Sequence, residues 1–297
     1  MRCLFESINN GLLVSAIRNG TIPPLLVKYQ LDEYLPHVRQ IWFDGTPAYR
    51  DVILSHPSIY QDYTFIVTSV KNIKQLPDGV RHLRVGGMNE KMCILLAVLS
   101  KFRSLCSLEL FDRYRGQAVL SLDHDRLPSN VPVLLNSPNM VNCERLSIDT
   151  GLFYLGDLCK ELANSTVFKS LKGLLLRGSP GSLNLLADSS TLANCETLII
   201  EYHTLDKICE SIAGGSSLTT LQTLILAGGG VTDIGTQQLA DSQFLTSLRS
   251  LAIYSDIGPN GLRAIATSTV LSNLEQLKLD STMIGIRDVI ISPTPPP

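Results

Sequence analysis

Apolar residues return along this chain at a nearly fixed interval, in short stretches of the form L-x-x-L-x-L in which aliphatic residues or cysteine fill the L slots. The eight sets are Val80, Leu83, Val85; Leu105, Leu108, Leu110; Cys143, Leu146, Ile148; Leu171, Leu174, Leu176; Cys195, Leu198, Ile200; Leu221, Leu224, Leu226; Leu248, Leu251, Ile253; and Leu274, Leu277, Leu279. Their central leucines are spaced by 25, 38, 28, 24, 26, 27 and 26 residues. The alternation at the end of each set predicts a half-buried strand. A period in the twenties, sustained this long, predicts a stack of similar units rather than one globular core.

A second signal lies between the strands. The segments beginning Leu162-Ala163, Leu186-Ala187, Leu239-Ala240 and Ile265-Ala266 each run into Ser, Thr or Asp, with Leu96-Ala97 and Ile212-Ala213 as looser copies. An aliphatic residue followed by Ala predicts the end of a helix lying close on the strand layer, and the small polar residues predict the turn that follows. The 38-residue interval marks an insertion within 111–142, and its Pro128, Pro132 and Pro138 predict a loop there.

These strands, together with the G-x-x-x-L-A segments at Gly235–Ala240 and Gly261–Ala266, resemble the ribonuclease-inhibitor-like class of leucine-rich repeats over about residues 75–290. The resemblance implies an α/β solenoid, a horseshoe with a parallel concave sheet and convex helices, and leaves the function open. One departure stands out. The family's Asn or Cys slot nine residues into each repeat holds Met88, Arg113, Gly151, Ser179, His203, Gly229, Asp256 and Thr282 here. The turns must therefore satisfy their backbone groups by other means.

The expected organisation is an N-terminal cap or degenerate repeats over 1–75, leucine-rich repeats over 76–290 and a flexible Pro-rich tail over 291–297. Within the cap, Val38, Ile41 and Phe43 have the spacing of a degenerate strand, Tyr63–Val67 reads as a strand, and the stretch from Pro23 to Trp42 faintly resembles an F-box.

If the L slots point inward, slots three, five and seven of each unit face the concave surface. They are His82, Arg84, Gly86; Ser107, Glu109, Phe111; Arg145, Ser147, Asp149; Gly173, Leu175, Arg177; Thr197, Ile199, Glu201; Thr223, Ile225, Ala227; Ser250, Ala252, Tyr254; and Gln276, Lys278, Asp280. Two zones emerge. The earlier repeats offer a charged zone with one ring: His82, Arg84, Glu109, Phe111, Arg145, Asp149 and Arg177, to which Trp42 and Asp44 of the degenerate strand add. The later repeats offer an apolar stripe of Leu175, Ile199, Ile225 and Ala252, flanked by Arg177, Glu201 and Tyr254. Such a stripe is either a docking site or side chains packing laterally on one another.

Composition narrows the function classes. Hydrophobic residues make up 44% and charged residues 18%, which predicts an ordered chain. Lys and Arg number 12 against 9 acids in 1–110, net +3, and 13 against 18 in 111–297, net −5. Neither balance marks a polyanion binder, so RNA contact through the N-terminal region stays a local-patch alternative. The seven cysteines form no C-x-x-C pair, and the five histidines are scattered, so neither a metal nor a cofactor is expected. Cys143 and Cys195 fill L slots and read as buried hydrophobes. The glycine run Gly228–Gly230 lacks the following G-K-[ST] of a phosphate loop and reads as a turn. The sequon at Asn164 falls in the recurring turn motif.

No run of eighteen apolar residues is present for a membrane span, and an intracellular, cytoplasmic protein is expected, with organellar import as the alternative. The expected function is non-catalytic: a protein-interaction or assembly module. Two alternatives stand beside it. One is a GTPase activator of the Ran type, a family that uses a similar array, with Arg113 or Arg115 supplied in trans to the phosphates. The other is the substrate-recognition arm of a ubiquitin ligase or a subunit of an RNA-contacting complex.

Overall fold

A computed structural model describes residues 40–43, 64–87, 89–111, 130–154, 156–179, 181–281 and 286–291. Asp44, Met88, Arg113, Arg115, Thr282, most of the F-box-like stretch and the tail beyond 291 lie outside the described residues.

Eleven strands form one sheet in which spatial order equals chain order. They are β1 (Gln40–Trp42), β2 (Thr64–Val67), β3 (His82–Gly86), β4 (Ser107–Phe111), β5 (Arg145–Tyr154), β6 (Gly173–Ser179), β7 (Thr197–Glu201), β8 (Thr223–Ala227), β9 (Ser250–Tyr254), β10 (Gln276–Ser281) and β11 (Ile286–Ile291). Every pairing from β1 to β10 is parallel, and β11 closes the sheet with an antiparallel pairing that the period does not announce. Helices alternate with the strands: α1 (Val70–Gln75), α2 (Glu90–Val98), α3 (Val131–Leu135), α4 (Gly156–Asn164), α5 (Leu183–Ala187), α6 (Asp206–Ala213), α7 (Asp233–Ala240) and α8 (Pro259–Thr267). Each packs on the next helix in the chain. This is a solenoid-like α/β repeat, and among the described residues no helix is long and apolar enough to cross a membrane.

The repeating unit follows from the pattern that predicted it. The central slots Leu83, Leu108, Leu146, Leu174, Leu198, Leu224, Leu251 and Leu277 are direct partners from strand to strand. Ile41 and Phe65 continue that ladder into the first two strands. All L slots are buried except Leu274, in the last set, which is partly exposed. They share one continuous core with the inner helix residues, among them Leu96, Leu162, Leu186, Ile212 and Leu239. The helices therefore cover one face of the sheet. Its other face carries slots three, five and seven, which are mostly half-exposed in β3 to β9.

The Leu108 and Leu146 partnership also places the insertion. Both strands keep register, so the extra residues leave the sheet between them. Part of that segment is ordered, contrary to the expected loop: Pro132 opens α3 and Pro138 opens a 3-10 turn over Pro138–Met140. A proline in the first helical turn gives up an N–H that has no intrahelical partner anyway.

Two ladders of side-chain hydrogen bonds cross the repeat boundaries. After the helices, the hydroxyls of Ser137, Ser165, Thr191, Ser242 and Ser268, the first four buried, donate to Ala97, Leu135, Leu162, Ala213 and Ala240 respectively, carbonyls at the helix ends of the preceding unit. These are the small polar residues of the recurring turn motif, so Ser165 in the sequon at Asn164 has a structural role. Just before the strands, Asn142, Asn194, Thr220, Ser247 and Asn273 donate to Arg103, Lys169, Ala193, Thr219 and Thr246. Helix-end carbonyls have no intrahelical donor, and these side chains supply one across the repeat boundary.

The G-x-x-x-L-A glycines have a steric cause. Asp233 at the start of α7 accepts from the backbone N–H groups of Gly258 and Gly261 at 2.7 and 2.8 Å. A Cβ on Gly261 would stand 2.7 Å from that carboxylate oxygen. Asp206 binds the N–H and hydroxyl of Thr232 in the same way, one repeat earlier.

Asn139 concentrates three of these inter-repeat bonds. It is 2% exposed, and its amide reaches the carbonyls of Leu96, Ala97 and Leu99 at 2.8 to 3.1 Å. Asn139→Ala is expected to lower stability by roughly 2 kcal/mol by leaving buried carbonyls without that donor. Chemical denaturation checks this as a lower midpoint.

Candidate functional site

Slots three, five and seven are held by consecutive paired strands, so each slot forms a row across the sheet with neighbours about 4.8 Å apart. Along slot five the register runs Arg84, Glu109, Ser147, Leu175, Ile199, Ile225, Ala252, Lys278. Along slot seven it runs Gly86, Phe111, Asp149, Arg177, Glu201, Ala227. The two zones expected from the sequence are therefore contiguous surfaces on the helix-free face.

In the charged zone the ions are paired laterally. Arg84 Nε lies 3.0 Å from Glu109 Oε1, its neighbour in the row. The Arg84 guanidinium stacks 4.4 Å from the Phe111 ring centre. The Phe111 ring covers Gly86, where an added Cβ would meet it at 2.5 Å. Arg177 bridges both of its row neighbours: Nη1 to Asp149 Oδ2 at 3.1 Å, and Nε to Glu201 Oε2 at 2.6 Å with Nη2 on the same oxygen. Arg145 in slot three is exposed, and its Cγ lies beside Gly173, where an added Cβ would meet it at an ordinary 3.5 Å. His82 shares that row, facing Ser107.

The two carboxylates orient Arg177, and the Phe111 ring orients Arg84, so these side chains present a set geometry to a partner. Partly exposed pairs of this kind stabilise by at most about 1 kcal/mol each. Their effect is orientation more than stability.

In the apolar zone, Leu175, Ile199 and Ile225 stand side by side and half-exposed on β6, β7 and β8. Ala252, the fourth expected member, is 7% exposed and presents little surface. Thr197 and Thr223 border the stripe on one side, and Arg177 and Glu201 on the other. Beyond it, Lys278 Nζ sits 5.2 Å from the Tyr254 ring centre.

The cysteines pack as expected. Cys143 and Cys195 are buried in the first L slot, each thiol donating at 3.2 Å to a carbonyl two residues on. Burial pushes the thiols of Cys93, Cys143, Cys159 and Cys209 up to about 12 and Cys195 to about 11, out of reach of nucleophilic use near neutrality. Gly228, Gly229 and Gly230 all have positive φ in the turn after β8, which accounts for the glycine run without a ligand. Among the described residues no group of three or more His, Cys, Asp and Glu is placed to hold a metal ion.

One feature escaped the sequence reading. Slot two forms a further charged row at the strand entrance, with Lys172 on Glu144 at 3.4 Å and Arg249 on Glu275. In the same row Arg81 meets Cys106, Nε and Nη2 both 3.3 Å from the thiol. These two line an open polar cleft of about 560 Å³ with Ser104, Asn142 and Glu144. Wide and polar, it lacks the apolar concavity of a small-molecule pocket. Opposite charges one period apart in slot two were the available signal.

Burial raises the Glu109 carboxyl above its ordinary value of 4.5, Arg84 opposing and Asp149 reinforcing the shift. A carboxyl raised on folding contributes stability that is fully present below its unfolded value and lost as pH rises through its folded one. Glu109→Gln is therefore expected to gain on the wild type in denaturation midpoint as the pH rises above the ordinary glutamate range. A variant that loses ground over that rise would mean that the Arg84 pair outweighs burial.

The chain matches no protein-family model and no curated protein. Among solved structures it is similar to a protein of Bacteroides fragilis, at 15% identity, with 90% of this chain and 71% of that one covered and a TM-score of 0.46. That likeness bears on neither the family nor the function of this chain.

Proposed function

We propose that this chain is a leucine-rich-repeat protein of the ribonuclease-inhibitor-like class, a horseshoe whose concave sheet binds a protein partner, and that it works as a non-catalytic interaction or assembly module. The observation that carries this reading is the row of Leu175, Ile199 and Ile225, half-exposed and in register on the helix-free face. Removing the exposed part of these side chains from water favours a complex by about 25 cal/mol per Å², before the costs of association. Beside them the Asp149, Arg177 and Glu201 clamp supplies fixed polar contacts at the rim.

The mechanism is recognition by a preformed surface. Strand pairing orders the backbone, the ion pairs order the long side chains, and little further entropy is lost on docking. An apolar centre with a polar, charged rim is also the usual composition of protein interfaces.

Paired substitution tests this reading. Ile199→Asp with Ile225→Asp is expected to abolish co-purification of the partner from native extract while circular dichroism shows the chain still folded, the two adjacent carboxylates lowering the denaturation midpoint without unfolding it. Undiminished co-purification would leave the stripe as lateral packing only.

A further inference from the structure

The outer side of the helical layer is uneven. On α4 to α7 the exposed positions include Lys160, Lys207, Glu210 and Gln237, and the large apolar residues exposed there, Leu185 on α5 (48%) and Ile234 on α7 (67%), stand singly on helices that are not neighbours. The neighbouring α2 and α3 differ. From Met92 to Val98 the α2 sequence is apolar without a break, more than the core side of one helix can bury. Ile94 and Val98, one turn apart, are 42% and 63% exposed. On the packed neighbour α3, Val133 is 50% exposed, and Val141, after its 3-10 turn, 48%. Residues 130–143 hold no charged side chain.

The rim of this patch is basic. Lys71 and Lys74 are exposed on α1, which packs against α2, and Lys91 precedes Ile94 by one turn. Arg103 is exposed where its carbonyl accepts from Asn142, beside Val141. Helices α1 to α3 carry three lysines, Lys71, Lys74 and Lys91, against one acid, Glu90, whereas α4 to α8 carry three Lys and Arg against five acids. Apolar surface and positive charge thus coincide at one end of an otherwise acidic helical layer.

We propose that the outer face of α1, α2 and α3 docks an amphipathic helix of a protein partner, its apolar side on Ile94, Val98, Val133 and Val141 and its acidic flank toward Lys71, Lys74 and Lys91. Charge complementarity selects this occupant: leucine-type contacts fill the seam between neighbouring helices, and carboxylates meet the lysines. An anionic membrane would share the charge preference. Membrane-surface helices, however, insert Trp, Phe and Leu, whereas the exposed large side chains here are short Ile and Val with no ring among them.

The test is fluorescence anisotropy on the full chain with a stapled amphipathic peptide carrying Leu on one face and Glu on the other. A Lys-faced copy of the peptide and phosphatidylserine vesicles are measured alongside. The Glu-faced peptide is expected to bind, to weaken with salt and to lose about tenfold in affinity on Ile94→Asp with Val98→Asp. Lys71→Glu with Lys74→Glu is expected to weaken it and to favour the Lys-faced copy. All four residues are solvent-exposed, and circular dichroism checks that the variants fold. Absence of binding, binding indifferent to both double variants, or vesicle binding lost through the same substitutions would each overturn the proposal.

Discussion

Parallel pairing of successive strands in one register is the constraint on which everything else depends. It places Leu83, Leu108, Leu146, Leu174, Leu198, Leu224, Leu251 and Leu277 in a single row, and a one-residue slip in any strand would turn its leucines out of the core. Because each unit buries its apolar slots only against its neighbours, the core extends with the array. The same register aligns the residues between the leucines. A surface row is therefore a by-product of core alignment, and Arg177 meets Asp149 and Glu201 because Leu174 meets Leu146 and Leu198.

Side chains that cross repeat boundaries reinforce this register at both ends of the units. Ser165 and Thr191 reach back to the preceding helix, Asn194 and Asn273 to the preceding turn, and Asp233 forward to the start of the next helix. Each satisfies a backbone group that the repeat itself leaves open.

The strands, the buried slots and the two surface zones were legible in the sequence because period two along a strand and period twenty-six along the chain fix side-chain direction without further information. Turn chemistry was legible only as composition: Ser165 and Ser242 were visible as small polar residues, but their acceptors lie 30 and 29 residues back and no local pattern names them. The helix at Val131–Leu135 was hidden because Pro132 reads as a breaker, although proline suits a first turn. The pairing of Arg84 with Glu109 and its stacking on Phe111 required knowing which strands are neighbours; the outer patch on α2 required knowing which face of an all-apolar helix the core leaves uncovered.

In functional terms the chain offers two different surfaces, a helix-free sheet face with fixed ion pairs beside an aliphatic row, and a basic, apolar end of the helical layer. The reading proposed for the first rests on Ile225 being a contact residue in the assembled state. A photo-crosslinking amino acid at Ile225, compared with one at Gln237 on the exposed side of α7, tests that most directly. The account predicts a partner adduct from position 225 and none from 237; adducts of equal yield at both positions, or from 237 alone, would contradict it.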